Sequence, residues 1–392
     1  MNPFTFVNPT RIEFGSGTSA RAAAVCRELG ARRVLLVSGL GSARRSGLLD
    51  RVEEGLRGLG ISWVAHEGVR PNPVLSHVRE GIAKAREGQV ELVLAVGGGS
   101  VVDSAKAIAA GALADHDVWD FFEGGVPVKA ALPLVAVLTL AATGSEMNGG
   151  SVVTREETRS KTFFSSIHTH PRVSLLDPDL TLSLPWEQTA NGLSDAFAHL
   201  LEPYVNTGLW RPIVQLELKE ALFRALLDCG ERLKAEPADL EARGDFMWSA
   251  TMALNGVTSA GIGPAAYPVH MIEHAISAVT DLAHGAGLSA IYGGWLRWRL
   301  DQPNAEGPIH RVARLGHRVF GLPEAHGQAA ALAAVDALEA WYGRIGSPAT
   351  LDQAQVESAH FPDIAQLAAR QAMAWGMTDY SEAAILDILR RC

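Results

Sequence analysis

Along the first half of the chain, short blocks rich in apolar and β-branched residues alternate with stretches whose apolar positions recur every three or four residues. RRVLLVSG (32–39), ISWVAHEG (61–68), ELVLAV (91–96) and PLVAVLTL (133–140) are of the first kind and predict strands. Roughly Ser46 to Leu59, HVREGIAKAREG (77–88) and VVDSAKAIAAGAL (101–113) carry helical spacing. Strands that are apolar at nearly every position leave no face for water. Their alternation with helices therefore predicts a parallel sheet covered on both sides. From about Leu184 the pattern changes to long helical segments such as NGLSDAFAHLLEPYV, QLELKEALFRALLD and DFMWSATMALNGV. Pro185 at the junction suits the first turn of a helix. The expectation is an α/β domain over 1–184, with helices on both faces of a parallel sheet, followed by an all-α domain over 185–392. No repeat, low-complexity tract or Ser/Gly linker divides the two.

Bulk composition narrows the function classes. With 47% hydrophobic and 20% charged residues in 392, the chain has the make-up of a globular protein with a sizeable core. A formal charge of −9 argues against nucleic acid or an anionic membrane as partner, although a local basic patch could still hold one phosphate. Cys26, Cys229 and Cys392 are far apart and form no C-x-x-C, which excludes a disulfide framework and a cysteine-ligated zinc site. The N-terminal stretch lacks an apolar signal core, and the longest apolar run (131–143) is too short to span a bilayer. A reducing cytoplasm is the expected location.

Two groups of residues suggest chemistry. Gly97, Gly98, Gly99 and Ser100 lie between a strand and a helix, where glycine lets a phosphate approach the free N–H groups of the helix start. The stretch is neither G-x-G-x-x-G nor a Walker loop, and its plainer reading is a tight turn with Ser100 as helix cap. Thr143, Gly144 and Ser145, in the small-residue loop LAATGSEMN (140–148), could line the same ligand or form a simple connection. In the helical half, Asp195 and His199 are four apart, as are His270 and His274, and His284 follows after a polar interruption at Thr280-Asp281. Residues four apart share a helix face, so four or five N/O ligands could hold Fe²⁺, Zn²⁺ or a similar ion. Asp195 and His199 alone could instead be a hydrogen-bonded pair. His270, Glu273 and His274 also spell H-x-x-E-H, a metallopeptidase signature with Glu273 as general base. That reading leaves the sheet and its glycine turn unused. His168 and His170 have nothing nearby to complete a site and are read as structural or exposed.

Taken in order, NPTRIEFGSG, PNP (71–73), AVGGGSVVDSAKAIA, LTLAATGSEMN, SLLDPDLTLSLP, ANGLSDAFAHLLEPYV and the three-histidine stretch resemble the iron-containing (group III) alcohol dehydrogenases. The likeness is strongest to the butanol dehydrogenase and NADPH-dependent aldehyde reductase branch, and the final hundred residues contribute little to it. The resemblance implies a dinucleotide-binding α/β domain, a helical metal-binding domain, and hydride transfer between a nicotinamide cofactor and a small alcohol or aldehyde. By motif, it implies Asp195, His199, His270 and His284 as metal ligands for Fe²⁺ or Zn²⁺. His274 would be a catalytic neighbour of nicotinamide and substrate, and Glu273 an ordinary helix residue. The cofactor diphosphate would lie on Gly98, Gly99 and Ser100 with Asp103 nearby. Thr139, Leu140 and Thr143 would line the cofactor path, and Lys161 would reach ribose or phosphate. At the end of the first predicted strand, Gly39, Gly41 and Ser42 stand where many NAD-preferring relatives have an aspartate, with Arg44 and Arg45 close by. That favours NADP(H) over NAD(H). A homodimer is the family's habit. A dehydroquinate-synthase-like enzyme on the same scaffold is the alternative, though it would need more basic residues than the helical half offers near its motifs.

Overall fold

Leu92–Gly97 (β4) is buried at every position, as its unbroken apolar sequence requires, and sits inside a six-stranded sheet. In chain order the strands are β1 (Arg11–Phe14), β2 (Arg33–Gly39), β3 (Ser62–Val69), β4, β5 (Leu134–Leu138), β6 (Gly150–Arg155), β7 (Ser160–Ser165) and β8 (Val173–Leu176). The sheet runs β1-β8-β5-β4-β2-β3 with every neighbouring pair parallel, while β6 and β7 form a separate antiparallel hairpin. The helices of this unit are α1 (Ala22–Glu28), α2 (Ser42–Arg45), α3 (Leu48–Gly58), α4 (Leu75–Glu87), α5 (Gly99–Leu113) and α6 (Trp119–Phe122). Alternate strand residues feed opposite cores: Leu35, Val37, Val93 and Ala95 join the side chains of α4 and α5. Val34, Leu36, Leu92, Leu94 and Val96 join those of α1 and α3. Both faces are thus covered, the reason parallel strands can be apolar throughout.

A computed structural model describes residues 1–209, 211–263 and 266–392. Within it the chain divides into Val7–Leu184 and a second unit made of Pro185–Cys392 with the first six residues, Met1–Phe6. The backbone N–H of Asn2 donates to Gly261 O at 2.9 Å, tying that N-terminal stretch to the helical unit. The second unit contains α7 (Trp186–Asn206), α8 (Ile213–Ala235), α9 (Leu240–Leu254), α10 (Pro268–Thr280), α11 (His284–Leu300), α12 (Glu306–Arg318), α13 (Gln328–Ile345), α14 (Phe361–Ala374) and α15 (Glu382–Arg391). Helix α7 packs on α8, α9 and α11, and α10 packs on α11 and α14. Among the described residues no helix is long and apolar enough to cross a membrane.

The four predicted strands are present with slightly shifted ends, whereas β1, β8 and the β6–β7 hairpin carried no usable signal. β1 is a four-residue edge strand, RIEF, with both end residues exposed. β8 spans only four residues before Asp177-Pro178. His168 lies in a short 3₁₀ turn (Ile167–Thr169) rather than a strand, exposed, with His170 just beyond it and partly buried.

Candidate functional site

The chain runs from β2 out to edge strand β3, then returns to place β4 on the other side of β2. This change of direction leaves the carboxyl ends of β2 and β4 side by side, the position where open α/β sheets bind ligands. Gly39, Gly41 and Ser42 leave one of these ends, and Gly97 to Ser100 leave the other. Helix α5 begins at Gly99, so Ser100 is its second residue and does not cap it; the cap position is Gly98. A glycine there offers no side chain to the N–H groups of Gly99 and Ser100, which open the helix toward that end. The glycines also answer to a neighbour. β4 and β5 pair with Gly97 opposite Leu138, and the loop after β5 folds onto the turn. A Cβ on Gly99 would lie 2.4 Å from Thr143 Oγ1, and one on Gly98 3.2 Å from Leu140 Cβ. Thr139 N donates to Gly97 O at 3.1 Å.

Other residues expected near the cofactor are engaged within the α/β unit. Asp103 Oδ1 accepts from Ser145 Oγ (2.5 Å) and Oδ2 from Val152 N (3.0 Å). Lys106, fully buried, reaches Ser145 Oγ, Asn148 Oδ1 and Gly150 O at 2.8, 3.0 and 2.7 Å. Burial lowers the Lys106 ammonium to about 8, with Asp103 and Glu146 acting against that shift. Lys161 donates to Asn72 Oδ1 at 2.9 Å. Arg44 is held by Asp50, Glu53 and Glu67 at 2.8, 2.7 and 2.5 Å, while the side chain of exposed Arg45 lies over Gly41.

In the helical unit, Asp195 and His199 share one face of α7, as their spacing predicts, and both are buried. His270 comes from the first turn of α10. The break after Thr280 is a real chain reversal: Asp281 closes α10 in the left-handed region at φ 56°, and α11 starts at His284. Gly285 lets that start come close to α7, because a Cβ there would lie 2.1 Å from the carbonyl oxygen of Asn191. The result is three imidazoles facing one carboxylate oxygen. Asp195 Oδ1 is 3.4 Å from His199 Nδ1, 3.8 Å from His270 Nε2 and 3.8 Å from His284 Nε2.

Those separations exceed a good hydrogen bond. Asp195 Oδ1, His199 Nδ1 and His270 Nε2 are buried with no hydrogen-bond partner. Buried polar atoms left unpaired are costly, and several pointing at one another imply a missing common partner. Ligands about 2.1 Å from a tetrahedral divalent ion lie roughly 3.4 Å apart, so the spacing and the hard N/O donor set both fit such an ion. Burial opposes the charge on Asp195, but the surrounding imidazoles outweigh it and hold the carboxyl at about 2. Burial pushes His199 down to about 3. Burial also opposes a proton on His270, but Glu202 and Asp195 raise it to about 9.

His274 stands beside this group. Its ring lies 5.8 Å, centroid to centroid, from that of His284, with the Trp375 indole edge-on at 5.9 Å, and Gln371 Nε2 is 3.3 Å from its Nδ1. Gln371 and Trp375 belong to the C-terminal stretch that carried no sequence signal. Two carboxylates also meet these rings, one unremarked in the sequence and the other assigned a different part. Glu202 accepts from His270 Nδ1, and Glu273 accepts from His284 Nδ1 and from Ser277 Oγ. Glu273 is therefore not the ordinary helix residue expected of it, and its engagement leaves the peptidase reading without a general base. A signal for Glu202 existed: it lies seven residues after Asp195 and three after His199, on the same helix face.

The α/β unit with its glycine-capped helix start and the helical unit with its candidate Asp-His-His group fit a nucleotide-binding, metal-binding enzyme. Comparison with known proteins identifies the group. Residues 9–178 match the iron-containing alcohol dehydrogenase family and residues 189–392 its C-terminal domain. The chain belongs to the iron-containing alcohol dehydrogenase family, and it is an alcohol dehydrogenase/aldehyde reductase of that family. It is 37% identical over 392 residues to a probable NADH-dependent butanol dehydrogenase of Bacillus subtilis, covering 100% of this chain and 99% of that protein. It is 34% identical to the NADPH-dependent aldehyde reductase YqhD of Escherichia coli, covering 100% and 98%. The crystal structure of NADH-dependent butanol dehydrogenase A from Thermotoga maritima superposes with a TM-score of 0.94 at 38% identity, covering 100% of this chain and 98% of that one. Family membership sets aside the dehydroquinate-synthase and peptidase alternatives.

Proposed function

We propose that this enzyme transfers hydride between NADP(H) and a small aldehyde or alcohol, using one divalent ion, Fe²⁺ or Zn²⁺, held by Asp195, His199, His270 and His284. The observation that carries the reading is the set of buried, unpartnered nitrogens around Asp195 Oδ1. A divalent ion bound there supplies Lewis-acid polarisation of a carbonyl or alcohol oxygen. The residues do the rest. Gly98, Gly99 and Ser100 receive the cofactor diphosphate on the first N–H groups of α5, and Thr139, Leu140 and Thr143 wall the adjoining path. His274, held at Nδ1 by Gln371, presents its other nitrogen for moving a proton to or from the substrate oxygen. Asp103 and Lys161 act by keeping the surrounding loops in place as well as by any contact with ribose or phosphate.

The preference for NADP(H) rests on the missing acid at the end of β2 and on Arg45, since Arg44 is neutralised by three carboxylates. Relatives named for NADH and for NADPH stand on either side of this choice. We assign the chain to the cytoplasm, where its three free cysteines would stay reduced, and to a homodimer, which sedimentation would test. The decisive experiment follows oxidation of NADPH by butanal before and after chelation. Loss of rate on chelation and recovery with Fe²⁺ or Zn²⁺ is the expected result. No turnover by metal-replete protein across a panel of aldehydes, with either cofactor, would refute it.

A further inference from the structure

Glu202 and Glu273 are fully buried, and each meets a histidine at Nδ1, the nitrogen opposite the one directed at Asp195. Glu202 reaches from α7 to the start of α10, where Oε2 accepts from Val269 N at 2.8 Å and Oε1 from His270 N at 3.2 Å and from His270 Nδ1. The cap residue of α10, Tyr267, supplies no side-chain cap of its own. One carboxylate from α7 therefore caps α10 and fixes the His270 ring in the same stroke. Glu273 acts across the α10–α11 reversal. Its Oε2 accepts from His284 Nδ1 and its Oε1 from Ser277 Oγ, which also lies 3.0 Å from Leu282 O. Gly287 leaves it room, since a Cβ there would be 2.8 Å from Glu273 Cγ.

An imidazole that binds a metal ion gives up its second proton and keeps one N–H and one lone pair. With Nδ1–H committed to a carboxylate, the lone pair sits on Nε2, and in both rings Nε2 is the atom directed at Asp195 Oδ1. Among the described residues, the ion pairs of Asp195 and Glu202 are with histidines rather than Lys or Arg. Buried carboxylates are unfavourable unless a cation joins them, whether a protonated histidine or a metal ion that displaces its proton.

We propose that Glu202 and Glu273 are the positioning residues of the metal centre. They set the tautomer and ring direction of His270 and His284, and with Asp195 they supply the negative charge that retains a divalent ion. This rests on the metal reading above. The two differ in kind: Glu202 also holds α10 to α7, so it serves folding and metal retention together, while Glu273 serves retention alone.

The test uses full-length protein, wild type, Glu273→Gln and Glu202→Gln, loaded with Zn²⁺ or Co²⁺ and titrated with a competing chelator. Metal per chain is counted by mass spectrometry, and the Co²⁺ visible bands report ligand geometry. Glu273→Gln should lose about 10–100-fold in metal affinity and shift the Co²⁺ bands, with the melting temperature of the metal-free protein close to wild type. Glu202→Gln should lose a similar factor and also melt lower without metal. If Glu202→Gln fails to fold, Glu273→Gln alone decides. Metal affinity of Glu273→Gln within about threefold of wild type, well short of that range, with unchanged Co²⁺ bands overturns the inference while leaving the metal reading standing. Wild-type protein that takes up no divalent ion overturns the metal reading, and this inference with it.

Discussion

Asp103 and Asp195 are both buried aspartates on helices, one in each unit, and the surroundings of their oxygens differ. Both oxygens of Asp103 accept hydrogen bonds, from Ser145 and Val152, with buried Lys106 alongside. Asp195 Oδ1 has three imidazole nitrogens turned toward it and no hydrogen-bond partner. A satisfied buried network rigidifies its surroundings, whereas an unsatisfied one is a place kept for something else. On the function proposed above, the α/β unit meets its ligand with backbone, at the glycine-capped start of α5. The helical unit meets its own with side chains.

The comparison is most severely tested by removing one of the imidazoles turned toward Asp195. His284→Ala should reduce kcat/KM with butanal and metal affinity by more than about 100-fold, beyond the range for outer partners. Retained metal and near-normal rates would break the contrast. Gly285→Ala probes how the ligands are brought together. The added methyl would run into the Asn191 backbone, so it should cost about 1–3 kcal/mol of stability and weaken metal retention as α11 shifts from α7. Ser145→Ala, in the satisfied network, should cost about 1–3 kcal/mol in denaturant titrations while metal content stays unchanged. Any loss of metal in that variant would show that the two regions are not independent.

Two smaller effects sharpen the picture of the α/β unit. Arg45→Gln should lower the NADPH-to-NADH ratio of kcat/KM by about tenfold, the cost of one charge-assisted phosphate contact, and Arg44→Gln by less than about twofold. Equal effects would refute the distinction drawn from the bonds of Arg44. His66 is buried against His77, with Lys84 nearby, and its burial and those neighbours push it down to about 4. The unfolded chain, at the ordinary value near 6.5, then binds the extra proton first. Stability from this group is therefore full above about pH 6.5 and falls as the pH drops toward 4. Melting curves across that window should show the decline, and His66→Phe should flatten it.

Much of this was legible in the chain. The four apolar blocks determined a parallel, doubly covered sheet, because strands without a polar face can be stable only between two layers of helices. The i,i+4 spacing of Asp195 with His199, and the break before His284, were readable because helix periodicity is a local property. Glu202 and Glu273 were less so. One was passed over, and the other was absorbed into a peptidase signature and then dismissed, since their roles depend on which helix end or ring lies opposite. Gln371 and Trp375 had no signal at all, being about a hundred residues from the histidine they touch.

What the sequence by itself determined is the class of fold, the family and the candidate residues, all set by periodicity, glycine placement and ordered motifs. The tertiary structure alone decided which of those residues are engaged and which are left open. It tied Asp103 to Ser145, gave Arg44 three carboxylates, turned three imidazoles onto one oxygen and placed a buried glutamate behind two of them. The reason is physical: hydrogen-bond satisfaction is a property of atoms brought together from distant parts of the chain, and no local pattern records it.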